Sequence, residues 1–377
     1  MQDILDLGIE ELKDALRDMG EKPFRAGQIY SWLNEKLVFD FEDMTNLSKP
    51  LREKLKKNFR IGPVTMVARQ ISQIDKTEKF LFRLHDGHMV ETVLMRYKHG
   101  NSVCISSQVG CRMGCRFCAS TIDGWIRNLT PGEMLGQIYK VQQISGERVS
   151  NIVVMGTGEP LDNYDNLLAF IHRISDEKGL NISQRNITVS TCGLVPAIYA
   201  LADENLAITL ALSLHGATQE KREALMPIAK KYTLDEVMGA CRHYFKKTGR
   251  RMSYEYALLD GVSMPYGPFF GDTDFPLRAA RPSSGEQPGA LRSRAGTWNE
   301  TGRKPFSFFT LNTAASGVHT KRETSSSPES RKLNKLTAWG PPQEVKVESL
   351  VQPCPVQLHG KGLRAAQEHM SIGGVHQ

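Results

Sequence analysis

The sequence lacks long apolar runs: in its 377 residues, nowhere do about 18 apolar residues follow one another, so we expect no transmembrane helix. The start MQDILDLGIEELKDAL is acidic and has no apolar core, so we expect no signal peptide. Its composition, 40% hydrophobic and 24% charged, excludes disordered and collagen-like chains. We therefore expect a soluble cytoplasmic protein of roughly two or three domains, without a membrane partner.

Cysteine is scarce and odd in number. The seven cysteines stand at positions 104, 111, 115, 118, 192, 241 and 354. An odd number in a large chain without a signal peptide argues against a disulfide framework. Four of them fall within fifteen residues, which in a reducing compartment indicates metal or thiol chemistry. The net charge of +7 permits a nucleic-acid partner but does not establish one.

Residues 1–60 are predicted to form a small helical module, because their apolar residues recur at helical spacing on either side of Pro23. The module ends in KPLREKLKKNFR, in which only Glu53 opposes the basic side chains. These are Lys49, Arg52, Lys54, Lys56, Lys57 and Arg60. Such a run is either a solvated helix face or a surface that contacts phosphates.

Residues 61–97 alternate in short runs typical of strands, VTMVARQIS, EKFLFRL and HMVETVLM, and we predict a β-rich connector. Glu91 lies inside the last run. A carboxylate in that position is usually the partner of a salt bridge or points into solvent.

From residue 98 to residue 262, apolar runs alternate with helix-like segments. The runs are SVCIS, NIVVMG, NITVST, AITLALSLH and YEYALLDGV. This alternation predicts an α/β fold with a parallel sheet, and five units favour a full or partial (β/α) barrel. In such a fold, ligand chemistry collects at the carboxyl ends of the strands.

The chain changes character after Val262. Residues 263–377 contain 11 of the 18 prolines and no periodic apolar pattern. This composition predicts a divergent tail that is either poorly ordered or foreign to the preceding fold, as a shifted reading frame would produce.

The strongest chemical signal is the loop CRMGCRFC, with Cys111, Cys115 and Cys118 in a C-x3-C-x2-C spacing after a predicted strand. Three thiolates can hold three irons of a four-iron cluster and leave one iron open. The alternative is a zinc site with Cys104 as the fourth ligand, although structural zinc usually uses two short cysteine pairs.

The triplet resembles the radical S-adenosylmethionine (SAM) superfamily, in which the open iron binds the amino acid end of SAM. The segment MGTGEP is similar to the GGEP element of that superfamily, which contacts the SAM amino group. Glycines allow a close backbone approach, and Glu159 can accept a hydrogen bond from an ammonium group. The competing interpretation is a nucleotide-binding loop, for which a lone G-x-G is weak evidence.

The motifs CISSQVGCRMGCRFCAST, VVMGTGEPLDNYDN, ITVSTCGLVP and LALSLHGATQEKREALMPIAKKY resemble the RlmN/Cfr family of RNA adenine methyltransferases. The resemblance implies a partial (β/α) barrel of radical SAM type over residues 98–262, extending in the family to about residue 330. It also implies a small N-terminal RNA-binding module. The expected activity is methylation of adenine C2 in large-subunit ribosomal RNA, and also in transfer RNA.

The resemblance also implies the cofactors and their sites. Cys111, Cys115 and Cys118 would bind a [4Fe–4S] cluster, which a reducing donor such as flavodoxin would reduce. The residues expected to line the SAM site are Gly158, Glu159, Ser190, Ser213, Leu214 and His215. A serine after a strand is more often a helix cap, and a lone histidine is often a satisfied core residue. Their common position at strand ends favours the functional interpretation.

Adenine C2 is not nucleophilic, so direct attack on the SAM methyl group is implausible. In the family, two SAM molecules serve each turnover: a cysteine first receives a methyl group, and a radical from the second SAM then activates that methyl group for addition to C2. The resemblance assigns proton removal to Glu91, and it assigns product release through a transient disulfide to Cys104.

The C-terminal family elements are not intact. Asn312, in TLNT, could replace the SAM-contacting asparagine, and Cys354, in CPVQL, could replace the methyl-carrying cysteine, although Pro355 stands where glycine is expected. The alternatives are therefore a catalytically incomplete relative that binds a cluster and RNA, a methyltransferase acting on adenine C8, and a zinc-ribbon RNA-binding protein.

Overall fold

The computed structural model describes residues 1–62, 64–258 and 307–313. The predicted tail over residues 263–377 therefore lies outside the described residues except for 307–313, and so does Cys354. The described helices are α1 (Ile9–Asp18), α2 (Arg25–Asn34), α3 (Lys49–Asn58), α4 (Pro131–Ser145), α5 (Tyr164–Ile174), α6 (Val195–Asp203), α7 (Gln219–Leu225) and α8 (Leu234–Thr248). None of these helices has the length and apolar character needed to cross a bilayer.

The described strands form one large sheet and two small ones. The strands are β1 (Gln2–Asp3), β2 (Phe59–Arg60), β3 (Val64–Ile71), β4 (Glu78–Leu84), β5 (Met89–Met95), β6 (Asn101–Cys104), β7 (Gln108–Gly110), β8 (Trp125–Asn128), β9 (Val149–Val154), β10 (Ile187–Thr191), β11 (Thr209–Ser213), β12 (Met252–Leu258) and β13 (Ser307–Thr313). Within the described ranges, the large sheet has the order β13-β12-β11-β10-β9-β6-β5-β4-β3.

The N-terminal module is helical, as its apolar spacing predicts. Leu12 and Leu16 of α1, Ile29 of α2 and Leu55 of α3 are fully buried in its core. The first and last residues of the module meet in a short parallel pair, in which Gln2 lies beside Phe59. This pairing brings the residues that follow α3 back to the start of the chain, just before β3, the first strand of the large sheet in chain order.

The central strands β6, β9, β10, β11 and β12 run parallel to one another. Helices α4, α5, α6 and α8 connect them, which confirms the predicted strand–helix alternation. Local signals set the helix limits: Thr130 and Glu133 form a capping box at the start of α4, and Gly146 ends it with a φ of 69°. All these connections bring the carboxyl ends of the strands to one edge of the sheet.

The connector of residues 61–97 forms the predicted strands β3, β4 and β5, but these strands belong to the same sheet as the core. β5 pairs antiparallel with β6, and Val93 lies opposite Cys104. The sequence predicts alternating strands here, but it does not specify this partner, because strand pairing is set by tertiary contacts. As a result, β5 brings Glu91 close to the end of β6, where Cys104 lies.

Candidate functional site

The predicted site residues meet at the carboxyl edge of the parallel strands. The chain after β9 lies against the chain after β6: Gly156 N donates to Ile105 O at 3.0 Å, and Thr157 N donates to Ser106 Oγ at 3.0 Å. The chain after β10 joins them through a 2.7 Å hydrogen bond from Cys192 N to the Glu159 carboxylate. Three strand ends thus form one continuous surface.

Glycine is required in the MGTGEP loop for packing. A Cβ atom on Gly156 would lie 2.8 Å from the Ile105 carbonyl carbon, and one on Gly158 would lie 2.7 Å from Gln108 Cβ. Gly158 also has a φ of +113°, which favours glycine. The sequence suggests that these glycines leave space for a ligand. The structure shows instead that they let residues 105–108, which lead to the cysteine loop, pack closely against them.

Glu159 is buried at the centre of this edge. Its Oε1 accepts a hydrogen bond from Leu161 N at 3.1 Å, and its Oε2 accepts the one from Cys192 N at 2.7 Å. Burial raises the pKa of the Glu159 carboxyl, and the bond from Cys192 opposes that rise. The Thr191 and Cys192 side chains also donate hydrogen bonds to this carboxylate, so a ligand ammonium group would share it with them.

The cysteine loop between β7 and β8 is held by backbone hydrogen bonds. Cys111 N donates to Gly124 O at 3.0 Å, and Arg116 N donates to Leu225 O at 2.9 Å. Cys115 is buried together with Cys192, Leu225 and Met226. The thiol pKa is raised to about 11 for Cys111 and to about 12 for Cys115, mainly by burial and in smaller part by the nearby Cys118. These thiols need a metal to ionise them at neutral pH.

The three thiols lie close enough together for Cys118 to raise the pKa of both Cys111 and Cys115. In the part of the chain that the structure describes, no three His, Cys, Asp or Glu side chains surround one metal position. Zn²⁺ holds its ligands at about 2.0–2.3 Å, whereas an iron–sulfur cluster takes separate thiolates on separate irons. Cys104, the proposed fourth zinc ligand, belongs to another group, with Glu91 and Glu255. The zinc interpretation therefore has no support here.

The serines and His215 lie along the same edge. Ser190 Oγ donates to Val154 O at 3.0 Å, and Ser213 Oγ donates to the Glu255 carboxylate at 3.2 Å. Leu214 N donates to Glu255 O at 3.0 Å, so the LSLHG segment is fixed to β12. Burial raises the pKa of the Glu255 carboxyl, and the Ser213 hydroxyl opposes that rise.

His215 is buried, with a φ of 50°, in the left-handed region that few non-glycine residues occupy. Its Nδ1 accepts a hydrogen bond from Ala257 N at 3.0 Å, and its ring meets the Phe117 ring edge-on at 4.7 Å. Burial lowers the pKa of the imidazole to about 3. His215 is therefore neutral at physiological pH, with its proton on Nε2.

Glu91 and Cys104 lie in one neighbourhood. Glu91 forms an ion pair with Lys79, in which Glu91 Oε1 lies 2.6 Å from Lys79 Nζ. Ser106 Oγ donates a hydrogen bond to the Glu91 carbonyl oxygen at 2.8 Å. Burial raises the thiol pKa of Cys104 to about 12, and the charges of Glu255 and Glu91 add to this rise. The predicted proton acceptor and the predicted resolving cysteine are thus adjacent, although their roles remain predictions.

Asn312 occupies a different position from the other predicted SAM contacts. It lies in β13, which pairs antiparallel with β12, and its partner is Ser253 near the start of β12. The other predicted contacts lie at or just after the carboxyl ends of parallel strands. The role of Asn312 remains a prediction, and so does that of Cys354, which lies outside the described residues.

The basic run of the N-terminal module is largely paired with carboxylates. Arg52 lies 2.9 Å from Glu42, Lys56 lies 2.6 Å from the same residue, and Lys54 lies 2.5 Å from Glu21. Exposed pairs of this kind contribute little stability and exchange partners readily. Arg52, Lys54 and Lys56 would have to exchange these carboxylates to contact phosphates, whereas the exposed Lys49 and Lys57 are in no described ion pair.

Both parts of the chain match known families. The family described as "Ribosomal RNA large subunit methyltransferase N-terminal domain" matches residues 2–61, and the "Radical SAM superfamily" matches residues 105–265. The "Probable dual-specificity RNA methyltransferase RlmN" of Lachnoclostridium phytofermentans is 62% identical over 261 residues, 69% of this chain and 73% of that relative. The chain belongs to the RlmN family.

Two further comparisons agree with RlmN membership. The protein of the same description from Lachnospira eligens is 59% identical over 263 residues, 70% of this chain and 75% of that relative. A crystal structure of a radical SAM methyltransferase from Sphaerobacter thermophilus superposes with a TM-score of 0.67 at 41% identity, covering 70% of this chain and 78% of that one. As an RlmN-family enzyme, the chain uses a [4Fe–4S] cluster and SAM to methylate RNA.

Sequence reasoning missed some residues of the site. Gln108 donates to Asp162 at 2.9 Å and accepts from Glu159 N at 2.8 Å, so it holds the MGTGEP loop. Glu255 and Arg222 are also central. Glu255 could have been suspected as a carboxylate in an apolar strand, but Arg222 stands in the charged segment QEKREAL, which is typical of a solvated helix.

Proposed function

We propose that this protein methylates C2 of an adenine in large-subunit ribosomal RNA and in transfer RNA, in the cytoplasm, with a flavodoxin-like electron donor. One observation carries the proposal: the three-cysteine loop, the MGTGEP loop and the LSLHG segment share one edge of the sheet. A cofactor bound to the loop would therefore lie against the polar side chains that the family uses to hold SAM.

The cluster and SAM, when bound, supply the radical chemistry that a non-nucleophilic ring carbon requires. Cys111, Cys115 and Cys118 would hold the cluster. Glu159 would accept from the SAM amino group in addition to the protein donors that it already has. His215 would present its Nε2 proton, because its Nδ1 is occupied by Ala257 N.

Glu91 is the proposed proton acceptor. Lys79 holds one of its carboxylate oxygens at 2.6 Å, and about a quarter of the side chain is exposed, 26% of its area. The ion pair orients the carboxylate and leaves the other oxygen available to a base that enters from solvent. Cys104 lies nearby but is buried, so its thiol needs a neighbouring base before it can attack a sulfur atom.

An exposed aromatic residue beside the cysteine loop suits an RNA substrate. Trp125 is 39% exposed, and the Arg112 guanidinium lies 4.5 Å from the centre of its ring. Ile122 and Ile126, close in sequence, are also exposed. Aromatic rings and guanidinium planes stack on unpaired bases, and a target adenine must leave its stack to be modified. We place an RNA base on Trp125.

A catalytically incomplete relative is the second candidate. It is favoured by the sequence after Val262, where Cys354 is followed by proline instead of the glycine of the family element. Such a protein would bind a cluster and cleave SAM but would not transfer a methyl group to RNA.

The test is an anaerobic assay of reconstituted protein with a reductant, SAM and an unmethylated ribosomal RNA fragment or transfer RNA. The proposed function predicts 2-methyladenosine and 5′-deoxyadenosine by mass spectrometry. The Cys354→Ala variant should keep its cluster and lose methyl transfer. Deoxyadenosine without methylated RNA in the unsubstituted protein would establish the incomplete relative, and 8-methyladenosine would overturn the assignment to C2.

A further inference from the structure

Arg222 is a fully buried cation with incomplete hydrogen bonding. Its relative exposure is 0%, and its Nη2 donates to Cys192 O at 2.6 Å. Among the described residues, its Nε and Nη1 have no hydrogen-bond partner. Two buried donors of a charged group are therefore left unsatisfied, which is costly in a protein interior.

The charge of Arg222 has no carboxylate partner in the part of the chain that the structure describes, and the groups that interact with it electrostatically are the thiols of Cys192, Cys115 and Cys241 and the neutral imidazole of His215. Burial lowers the pKa of the guanidinium, and those thiols oppose the decrease. An arginine stays protonated, so the interior holds a positive charge that an anion should balance.

The residues packed around Arg222 indicate where that anion would lie. Helix α7 carries Arg222, and Leu225 and Met226 at its end are packed with Cys115. The chain packs closely around Arg222: an added Cβ on Gly216 would lie 2.6 Å from Arg222 N, and one on Gly193 would lie 3.1 Å from its Nη2. The hydrogen bond to Cys192 O holds the guanidinium beside Cys192, which is packed with Cys115 of the cysteine loop.

We propose that Arg222 is a positioning residue that balances the negative charge of the iron–sulfur cluster on the cysteine loop. A [4Fe–4S]²⁺ core with three thiolates carries one net negative charge, and reduction by one electron adds another. Arg222 favours both the bound cluster and its reduced form. The inference rests on the proposed cluster but needs neither RNA nor methyl transfer.

Three variants of the full chain test this role. Arg222→Met removes the charge at similar length, and Arg222→Lys keeps it. Arg173→Met is the control, because Arg173 is also mostly buried and donates to a backbone carbonyl, that of Leu5, but it pairs with Glu11 away from the site. Each variant is compared with the parent protein in the cluster-free form and in the reconstituted form.

The two forms should respond in opposite directions. Without a cluster, Arg222→Met should melt at the same temperature as the parent or higher, because it removes an unbalanced buried charge. With a cluster, the same variant should release iron to a chelator about tenfold faster, equivalent to about 1.4 kcal/mol, and its cluster should be harder to reduce. Arg222→Lys, which keeps the positive charge, should release its iron almost as slowly as the parent protein.

A purely structural role predicts something else. Arg222→Met would then lower the melting temperature of the cluster-free form as Arg173→Met does, with iron retention and reduction potential unchanged in whatever protein remains folded. That result would overturn the inference. If the parent protein binds no iron or sulfide at all, the proposed function itself fails, so the two failures are distinguishable.

Discussion

The Oε2 atom of Glu159 accepts a 2.7 Å hydrogen bond from the backbone N–H of Cys192, although the two residues lie on loops after different strands. This contact fixes the loop after β9 to the loop after β10. Because Cys192 O in turn accepts from Arg222, the carboxylate, the backbone and the buried cation form one connected network behind the cysteine loop.

Glu159→Gln should weaken both the network and the SAM site. Glutamine has one acceptor oxygen, so its amide nitrogen, a donor, would face the donor Leu161 N or Cys192 N. The lost hydrogen bond should lower the free energy of unfolding by about 1–3 kcal/mol. It also removes the negative charge available to an ammonium group. Calorimetry should show weaker SAM binding together with a lower melting temperature.

The control for this change is Glu236→Gln. Glu236 accepts a 2.7 Å hydrogen bond from Thr233 N in the capping box of α8, away from the site. It should lose some stability and leave SAM affinity unaltered. Equal SAM affinity in both variants and the parent would refute the role of Glu159.

Gly110→Ala should disrupt the cysteine loop. A Cβ atom there would lie 1.9 Å from Gly124 O, the oxygen that accepts from Cys111 N. Gly110 also has a φ of +72°. The overlap and the strained backbone together should cost about 3 kcal/mol and lower the iron content after reconstitution.

Gly124→Ala is the matched control, because Gly124 has the same φ of +72° but nothing within 4 Å of its added Cβ. It should cost only the left-handed strain, about 1–2 kcal/mol, and keep its iron. Iron content and urea unfolding of the two variants provide the comparison. Similar losses in both would show that the contact with Gly124 O is unimportant.

His215 makes the cluster-free protein sensitive to acid. Its folded pKa of about 3 lies below the ordinary value of 6.5, so the unfolded chain binds a proton that the folded protein refuses. Stability therefore falls as the pH decreases from about 6.5 towards 3. Between pH 7 and pH 5 this residue accounts for a loss of about 2 kcal/mol.

His215→Gln should remove that part of the acid sensitivity, because a glutamine can accept from Ala257 N without titrating. Urea unfolding at pH 7 and pH 5 measures the difference. The variant should lose less stability than the parent over this interval. If both proteins lose the same amount, His215 is not the neutral acceptor described here.

Trp125→Ala should weaken RNA binding by about tenfold, since stacking of one base contributes about 1–3 kcal/mol. Tyr199→Ala is a suitable control, because Tyr199 on α6 is an aromatic residue with the same exposure of 39%. Filter binding with a ribosomal RNA fragment compares them, and Trp125→Phe should retain most of the affinity. An equal effect of the two alanine variants would remove Trp125 from the RNA surface.

Much of the fold could be predicted from local patterns. The segment YDNLLAFIHRI has the spacing of an amphipathic helix, and it forms α5 over the same residues, Tyr164–Ile174. The run NITVST becomes β10, Ile187–Thr191. These elements are set by their own side chains. The three-cysteine loop was recognisable for the same reason, because its spacing is short and specific.

The rest depends on contacts between distant segments. Nothing near Glu159 in the sequence indicates that Cys192 donates to it, and nothing in QEKREAL indicates that Arg222 is buried. The pairing of β5 with β6, which brings Glu91 towards Cys104, likewise joins elements whose order in the sheet the local sequence does not fix. Site residues held by tertiary hydrogen bonds therefore emerged only in the structure.

The most direct test is an iron and acid-labile sulfide determination on protein purified and reconstituted without oxygen, with Cys118→Ala alongside. The account predicts about four irons and four sulfides per chain in the parent protein, and loss of both in the variant. Colourless parent protein that contains zinc without sulfide would contradict it, as would an unchanged iron and sulfide content in Cys118→Ala.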